Sequence, residues 1–156
     1  MRGAQCRRNL VWTKRLMPRE FSATILRMTG GCLCGSVRYE VPDSSLGTSL
    51  CHCEDCRRAS GAPVVAWTFF PSGSIRWTRG EAKTLAWAER FRTFCPDCGT
   101  PLSFYDPALP DQFEVTTCSL DDPGACPPRD HNWMADRLEW FETADDLPRF
   151  SHNTPS

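Results

Sequence analysis

Seven of the ten cysteines fall in three short clusters: Cys32-x-Cys34, Cys51-x-Cys53-x-x-Cys56 and Cys95-x-x-Cys98. Thiolates are soft ligands suited to zinc, which takes four protein ligands in a closed structural site and three in a catalytic site that keeps a position open. Seven divides into four and three, so the count predicts one site of each kind. On an extended backbone side chains i and i+2 point to the same side. Cys51 and Cys53 can therefore share an ion while His52 points away, and Cys56 joins them if the chain turns at Glu54-Asp55. Cys95-Pro96-Asp97-Cys98-Gly99 is a zinc-knuckle arrangement whose Pro and Gly permit a tight turn, and Cys32 with Cys34 is the pair that completes it. The expectation is two Zn2+ per chain, a structural one on Cys32, Cys34, Cys95 and Cys98 and a second, catalytic-type one on Cys51, Cys53 and Cys56.

Two other uses of thiols compete with zinc. A disulfide framework suits secreted chains with dispersed cysteines, whereas these are grouped. Pairing within Cys51-x-Cys53 would also be strained, and no secretory signal peptide is apparent. Iron–sulfur clusters also use thiolates, but two-residue spacings across three separated loops favour zinc. Abundant thiols point to a reducing compartment, most simply the cytoplasm.

The elements that must carry these ligands are short. Ser36–Val41 alternates, with Val37, Tyr39 and Val41 on one face, and Val64–Phe70 is apolar enough to be a buried strand. Ser74–Thr78, Lys83–Ala88, Arg92–Phe94, Leu102–Tyr105 and Phe113–Thr117 are further strands, separated by Pro- and Gly-containing breakers. Only Asp55–Ser60 suits a helical turn. A single all-β domain of short antiparallel strands follows, and strands this short need a metal staple to hold.

The 156 residues carry 18 Lys/Arg against 19 Asp/Glu. Residues 1–27 hold seven of the basic groups and one acid, which leaves residues 28–156 with a net −7. An acidic body has no electrostatic footprint for nucleic acid, and no apolar run approaches the length that spans a bilayer. The basic stretch 1–27 reads as an extension outside the fold, with an organelle-targeting peptide the competing reading and Cys6 a free thiol within it. The folded domain is expected over 28–150, followed by a tail at 151–156.

Near the C-terminus His131–Phe141 is dense in aromatics. It reads as a closing strand and cap that buries Trp133, Trp140 and Phe141. His131 could serve as an acid/base or, more simply, as a hydrogen-bonded structural group.

Together, Gly30-Gly31-Cys32-Leu33-Cys34-Gly35, Cys51-His52-Cys53-Glu54-Asp55-Cys56-Arg57, Ser60-Gly61-Ala62 and Phe94-Cys95-Pro96-Asp97-Cys98-Gly99-Thr100 resemble the glutathione-dependent formaldehyde-activating enzyme family, which shares its domain with the centromere protein V group. The ending His131–Phe141 with Leu147-Pro148-Arg149 is similar as well. The resemblance covers about residues 29–150 and implies a folded-over, tent-like β architecture with the same four-plus-three zinc partition. It also implies a carbon–sulfur lyase acting on the adduct of a glutathione-like thiol and formaldehyde or a related small electrophile.

Three thiolates on Zn2+ leave a formal −1, a weak Lewis acid but a good anchor for a soft substrate sulfur. Arg57 and Arg58 could offset that charge or hold a substrate carboxylate, and Ser60-Gly61 could let a ligand approach the backbone; a solvated pair and a plain turn are the simpler readings. The competing function is a non-catalytic, zinc-stapled binding module whose second metal is closed by His131, Cys118 or Cys126. Coordination at the second zinc discriminates the two.

Overall fold

The alternation of Val37, Tyr39 and Val41 is realised: all three are buried, at 1%, 1% and 0% exposure. A computed structural model describes residues 26–154. Its ten strands are β1 (Arg27–Gly31), β2 (Arg38–Pro42), β3 (Gly47–Cys51), β4 (Val65–Pro71), β5 (Arg76–Arg79), β6 (Lys83–Trp87), β7 (Arg90–Phe94), β8 (Pro101–Tyr105), β9 (Gln112–Thr116) and β10 (Asp130–Asn132). The helix, α1 (Glu54–Ser60), follows β3 directly. The strands form two sheets, a small one ordered β1-β2-β5 and a larger one ordered β10-β3-β4-β9-β8-β7-β6. This is the mainly-β, single-domain architecture of small sheets that the sequence implies. One pairing departs from the antiparallel expectation, since β10 runs parallel to β3. Among the described residues no helix is long and apolar enough to cross a membrane.

The main core lies between the sheets. Val37, just ahead of β2, and Tyr39 and Val41 within it meet Phe70, Leu102, Phe113 and Val115 of the large sheet. Gly30 is required there, because a Cβ at that position would overlap the Tyr39 ring. The opposite face of the large sheet carries a second cluster of Cys51, Cys56 and Trp67, flanked by Phe69, Phe104 and Trp133. α1 covers this face.

β3 has no apolar alternation, because the positions buried ahead of Cys51 are the small polar residues Thr48 and Ser49. Thr48 is tolerated because its Oγ1 donates to Thr68 Oγ1 at 3.2 Å, and Thr68 Oγ1 is 2.9 Å from Thr117 Oγ1. Thr68→Val keeps the shape but leaves two buried hydroxyls short of a partner. It is expected to lower unfolding free energy by about 1–3 kcal/mol, read from the denaturation midpoint.

The expected domain limits shift at both ends. β1 starts at Arg27, one residue earlier than the expected boundary at Met28, because Arg27 pairs with Pro42 and Asp43 N–H donates to Leu26 O. The rest of the basic extension, with Cys6, lies outside the described residues. His131–Phe141 is not a closing strand: β10 ends at Asn132, Trp133 adopts φ +55°, and Trp140 is 73% exposed. The stretch closes the fold differently. His131 N–H donates to Pro148 O, and Phe150 N–H donates to His131 O. Past Arg149 the tail docks rather than trailing free, since Trp133 N–H donates to His152 O, Trp133 Nε1 to Asn153 Oδ1, and Thr154 Oγ1 to Asp130 Oδ1. The outer edge of β10 would otherwise leave buried backbone groups unpaired.

Candidate metal centres and the thiol cavity

The two cysteine clusters form at different levels of structure. Cys32 and Cys34 sit in the β1–β2 turn of the small sheet, and Cys95 and Cys98 in the β7–β8 turn of the large sheet. Their four sulfurs lie within 4.8 Å of one another, with Cys32 and Cys34 Sγ 3.5 Å apart and Cys34 and Cys95 Sγ 3.8 Å apart. Four thiolates on one tetrahedral zinc at 2.3 Å stand about 3.8 Å apart, so this cluster could hold such an ion. Backbone bonds pre-form the turn: Gly99 N–H donates to Cys95 O, Cys95 N–H to Thr100 O, and Gly99 takes φ +73° where a side chain would be strained. Thr100 hydrogen-bonds Cys98 and lowers its thiol to about 5, while burial pushes Cys95 up to about 12.

The second cluster is local. Cys51 ends β3, Cys53 caps α1 by accepting the Cys56 N–H at 3.3 Å, and Cys56 lies in the first turn of the helix. The three sulfurs again lie within 4.8 Å of one another. Hydrogen bonds from Cys51 and Cys56 lower the Cys53 thiol to about 3, and the reciprocal contacts push Cys51 up.

No fourth His, Cys, Asp or Glu among the described residues joins this trio. The three residues expected as closing ligands are engaged elsewhere. Cys126 packs in the main core beside Met28, Cys118 is exposed, and His131 bonds His52. The trio instead borders a cavity of about 370 Å³.

Arg57 and Arg58 do not line that cavity. Arg57 is tied to the carbonyls of His52 and Asp136, and Arg58 reaches back to Glu54 at 2.7 Å. The i,i+4 spacing on α1 makes the Arg58–Glu54 pair, and the helix turns both guanidiniums away from the sulfurs. Ser60 and Gly61 end the helix, with Ser60 Oγ donating to Cys56 O and Gly61 at φ +66°. They form a plain cap.

The charged groups in the cavity are ones the sequence reading missed. A cross-strand row runs from Arg92 on β7 through Phe104 on β8 and Glu114 on β9 to Phe69 on β4. Arg92 lies over the Phe104 ring at 4.6 Å and reaches within 3.9 Å of Cys56 Sγ. Glu114 is half-buried between two phenylalanines, and burial together with the charge of Cys56 raises its carboxyl to about 8 against the pull of Arg92. Arg90, also in the wall, is neutralised by Asp55 and Asp106 at 3.1 and 3.0 Å. The only sequence signal for Glu114 is the alternation Phe113-Glu114-Val115, in which the polar residue faces away from the main core.

Behind the trio His52 is buried, at 1% exposure, on the opposite side of the chain from Cys51 and Cys53 as expected. Its Nε2 is 2.8 Å from His131 Nδ1, and His131 Nε2 is 3.0 Å from Asp145 Oδ1. Burial, then the proximity of His131 and Arg137, lowers His52 to about 4, so it is neutral near pH 7. His131 is the hydrogen-bonded structural group rather than a side chain facing the sulfurs.

Known proteins are similar to this chain. The family model described as glutathione-dependent formaldehyde-activating enzyme matches residues 27–136. A Schizosaccharomyces pombe protein named an uncharacterized lyase is 36% identical over 77 residues, 48% of this chain and 55% of that protein. The match thus spans about half the length of that relative. The crystal structure of a Rhodobacter sphaeroides protein superposes with a TM-score of 0.52 at 20% identity, covering 79% of this chain and 99% of that one. That likeness bears on the fold alone.

Proposed function

The chain belongs to the glutathione-dependent formaldehyde-activating enzyme family, and from that premise we propose that it is a zinc-dependent, carbon–sulfur lyase-type enzyme acting on the adduct of a glutathione-like thiol and a small aldehyde. The observation that carries this reading is the convergence of three thiols, without a fourth such ligand among the described residues, on one cavity. A closed staple uses four protein ligands, whereas an open site leaves one position to the substrate. Two zinc ions are assigned, a structural one to Cys32, Cys34, Cys95 and Cys98 and a catalytic-type one to Cys51, Cys53 and Cys56. Metal analysis is expected to give two equivalents. Zinc at the second site supplies a soft Lewis acid that favours the thiolate form of a substrate sulfur.

The cavity's own residues supply the rest. Arg92 offsets the negative charge of the thiolates, and Trp67 and Phe104 exclude water from the reacting atoms. Glu114 is the proton carrier. In the splitting direction its carboxylate takes the hydroxyl proton of the adduct, the carbonyl forms, and the C–S electron pair leaves on sulfur. In the forming direction the thiolate attacks the carbonyl carbon, and the Glu114 carboxylic acid returns the proton to oxygen. The acidic body argues against nucleic acid as a partner, and the free thiols suit the reducing cytoplasm.

The direct test replaces the second metal with cobalt and titrates small thiols, glutathione first. The charge-transfer and ligand-field bands should shift on addition and remain unchanged in Cys56→Ser. If no thiol moves the bands and no adduct is formed or split, the site is a staple and the chain a binding module.

A further inference from the structure

The tail that docks on the 131–135 stretch also reaches the thiol cavity. Trp133, Met134 and Ala135 N–H donate to the carbonyls of His152, Phe150 and Ser151, so the tail runs beside the turn that carries Trp133. The Trp133 indole packs on the Cys51, Cys56 and Trp67 cluster, and the His152 ring meets it edge-on at 5.4 Å. This brings Asn153 into the cavity wall next to Trp133. Asn153 lies beyond residues 27–136, the span that the family model matches.

The indole fixes which end of the Asn153 amide is free. An indole N–H donates and cannot accept, and Trp133 Nε1 lies 2.8 Å from Asn153 Oδ1. The oxygen end of the amide is therefore engaged by Trp133, in an assignment that no titration alters. Nδ2, with two N–H donors, has no partner among the described residues, and Asn153 is exposed. A residue of the cavity wall thus offers donors to an acceptor that enters from solvent.

The charges around the cavity decide what kind of acceptor. Arg90 is already neutralised by Asp55 and Asp106, and Arg92 lies by Cys56 Sγ. Asp136 stands in the same wall without an ion pair among the described residues. A substrate carboxylate would meet no free cation there, whereas a neutral carbonyl oxygen needs only the N–H groups of Asn153. We propose that Asn153 is a substrate-binding residue of the thiol cavity, whose Nδ2 donates to an amide carbonyl of the incoming thiol. This rests on the open second site proposed above, and it makes the substrate a peptide-like thiol recognised through its amide rather than its carboxylates.

The test loads the second site of the full chain with cobalt and follows the sulfur-to-metal charge-transfer band during titration with two uncharged thiols. Mercaptoethanol has no carbonyl, and N-acetylcysteamine carries one amide. The amide thiol is expected to bind about fivefold more tightly, the scale of one neutral hydrogen bond. Asn153→Asp keeps an oxygen for the Trp133 indole and removes the donors. It should erase the preference with the near-ultraviolet circular dichroism unchanged. Asn153→Ala, which gives up both groups, should erase it as well. Equal binding of the two thiols by the wild type, or a preference that survives both substitutions, would overturn the proposal while the cobalt response upholds the open site. A wild-type spectrum that responds to neither thiol would sink the open site and the proposal together.

Discussion

Cys98→Ser is expected to leave the protein largely unfolded under conditions in which Cys53→Ser remains folded. Cys98 belongs to the cluster that ties the β1–β2 turn of one sheet to the β7–β8 turn of the other, across more than sixty residues of chain. Structural zinc in small metal domains contributes on the order of 10 kcal/mol or more of binding free energy, as much as the whole stability of a typical domain. Weakening that ion frees the sheets from each other, and the strands are too short to compensate. Cys53 belongs to a trio drawn from one local segment, its helix-capping role can be taken by a serine hydroxyl, and Trp67 stays packed against Cys51 and Cys56. Losing it should weaken the second metal while the melting transition stays cooperative. Equal loss of thermal stability in the two variants would show that the sites do not divide labour in this way. Chelation should reproduce the pattern, removing the second metal first and unfolding the protein only when the first is lost.

Glu114→Gln is expected to slow turnover about 100-fold, the usual scale for a lost proton carrier, with KM and the cobalt spectrum little changed. Glu114 stands in the wall of the thiol cavity, between Phe104 and Phe69 in the cross-strand row. The apolar neighbours and the thiolate charge of Cys56 raise its carboxyl to about 8. A zinc on three thiolates keeps a formal −1, the same sign as the Cys56 thiolate, so the raised position should persist in the loaded enzyme. In the splitting direction the ionised form accepts the proton, so the rate should climb with pH toward about 8. The forming direction needs the protonated acid and should fall as pH rises through about 8. Both limbs should vanish in Glu114→Gln. A variant that retains the wild-type pH profile would remove Glu114 from the chemistry.

Both residues show where a sequence is informative and where it is not. The cysteine groupings were legible because ligand spacing is local: i,i+2 on a strand end and i,i+3 into a helix start bring Cys51, Cys53 and Cys56 together without help from the rest of the chain. Val37, Tyr39 and Val41 were legible for the same reason, since alternation is written along one strand. β3 was not, because buried Thr48 is satisfied by the Thr68 hydroxyl on β4, which Thr117 after β9 supports in turn. Burial of Trp140 was expected from its type and refused by the fold, because the edge of β10 is covered instead by residues 148–154.

The length and spacing of the cysteine clusters, the short-strand β class and the acidic body could all be read from the chain by itself. The tertiary structure decided which charges face the sulfurs. Arg57 and Arg58 are adjacent to Cys56 in sequence, yet the helix turns them outward, while Arg92 and Glu114, from strands β7 and β9, face the cavity. It also decided that His52, expected only to point away from the Cys51 and Cys53 sulfurs, meets His131 seventy-nine positions away and, through it, Asp145. Ligand geometry follows from the backbone between neighbours, whereas the electrostatics of a cavity come from strands brought side by side by sheet registry, and no local spacing encodes that registry.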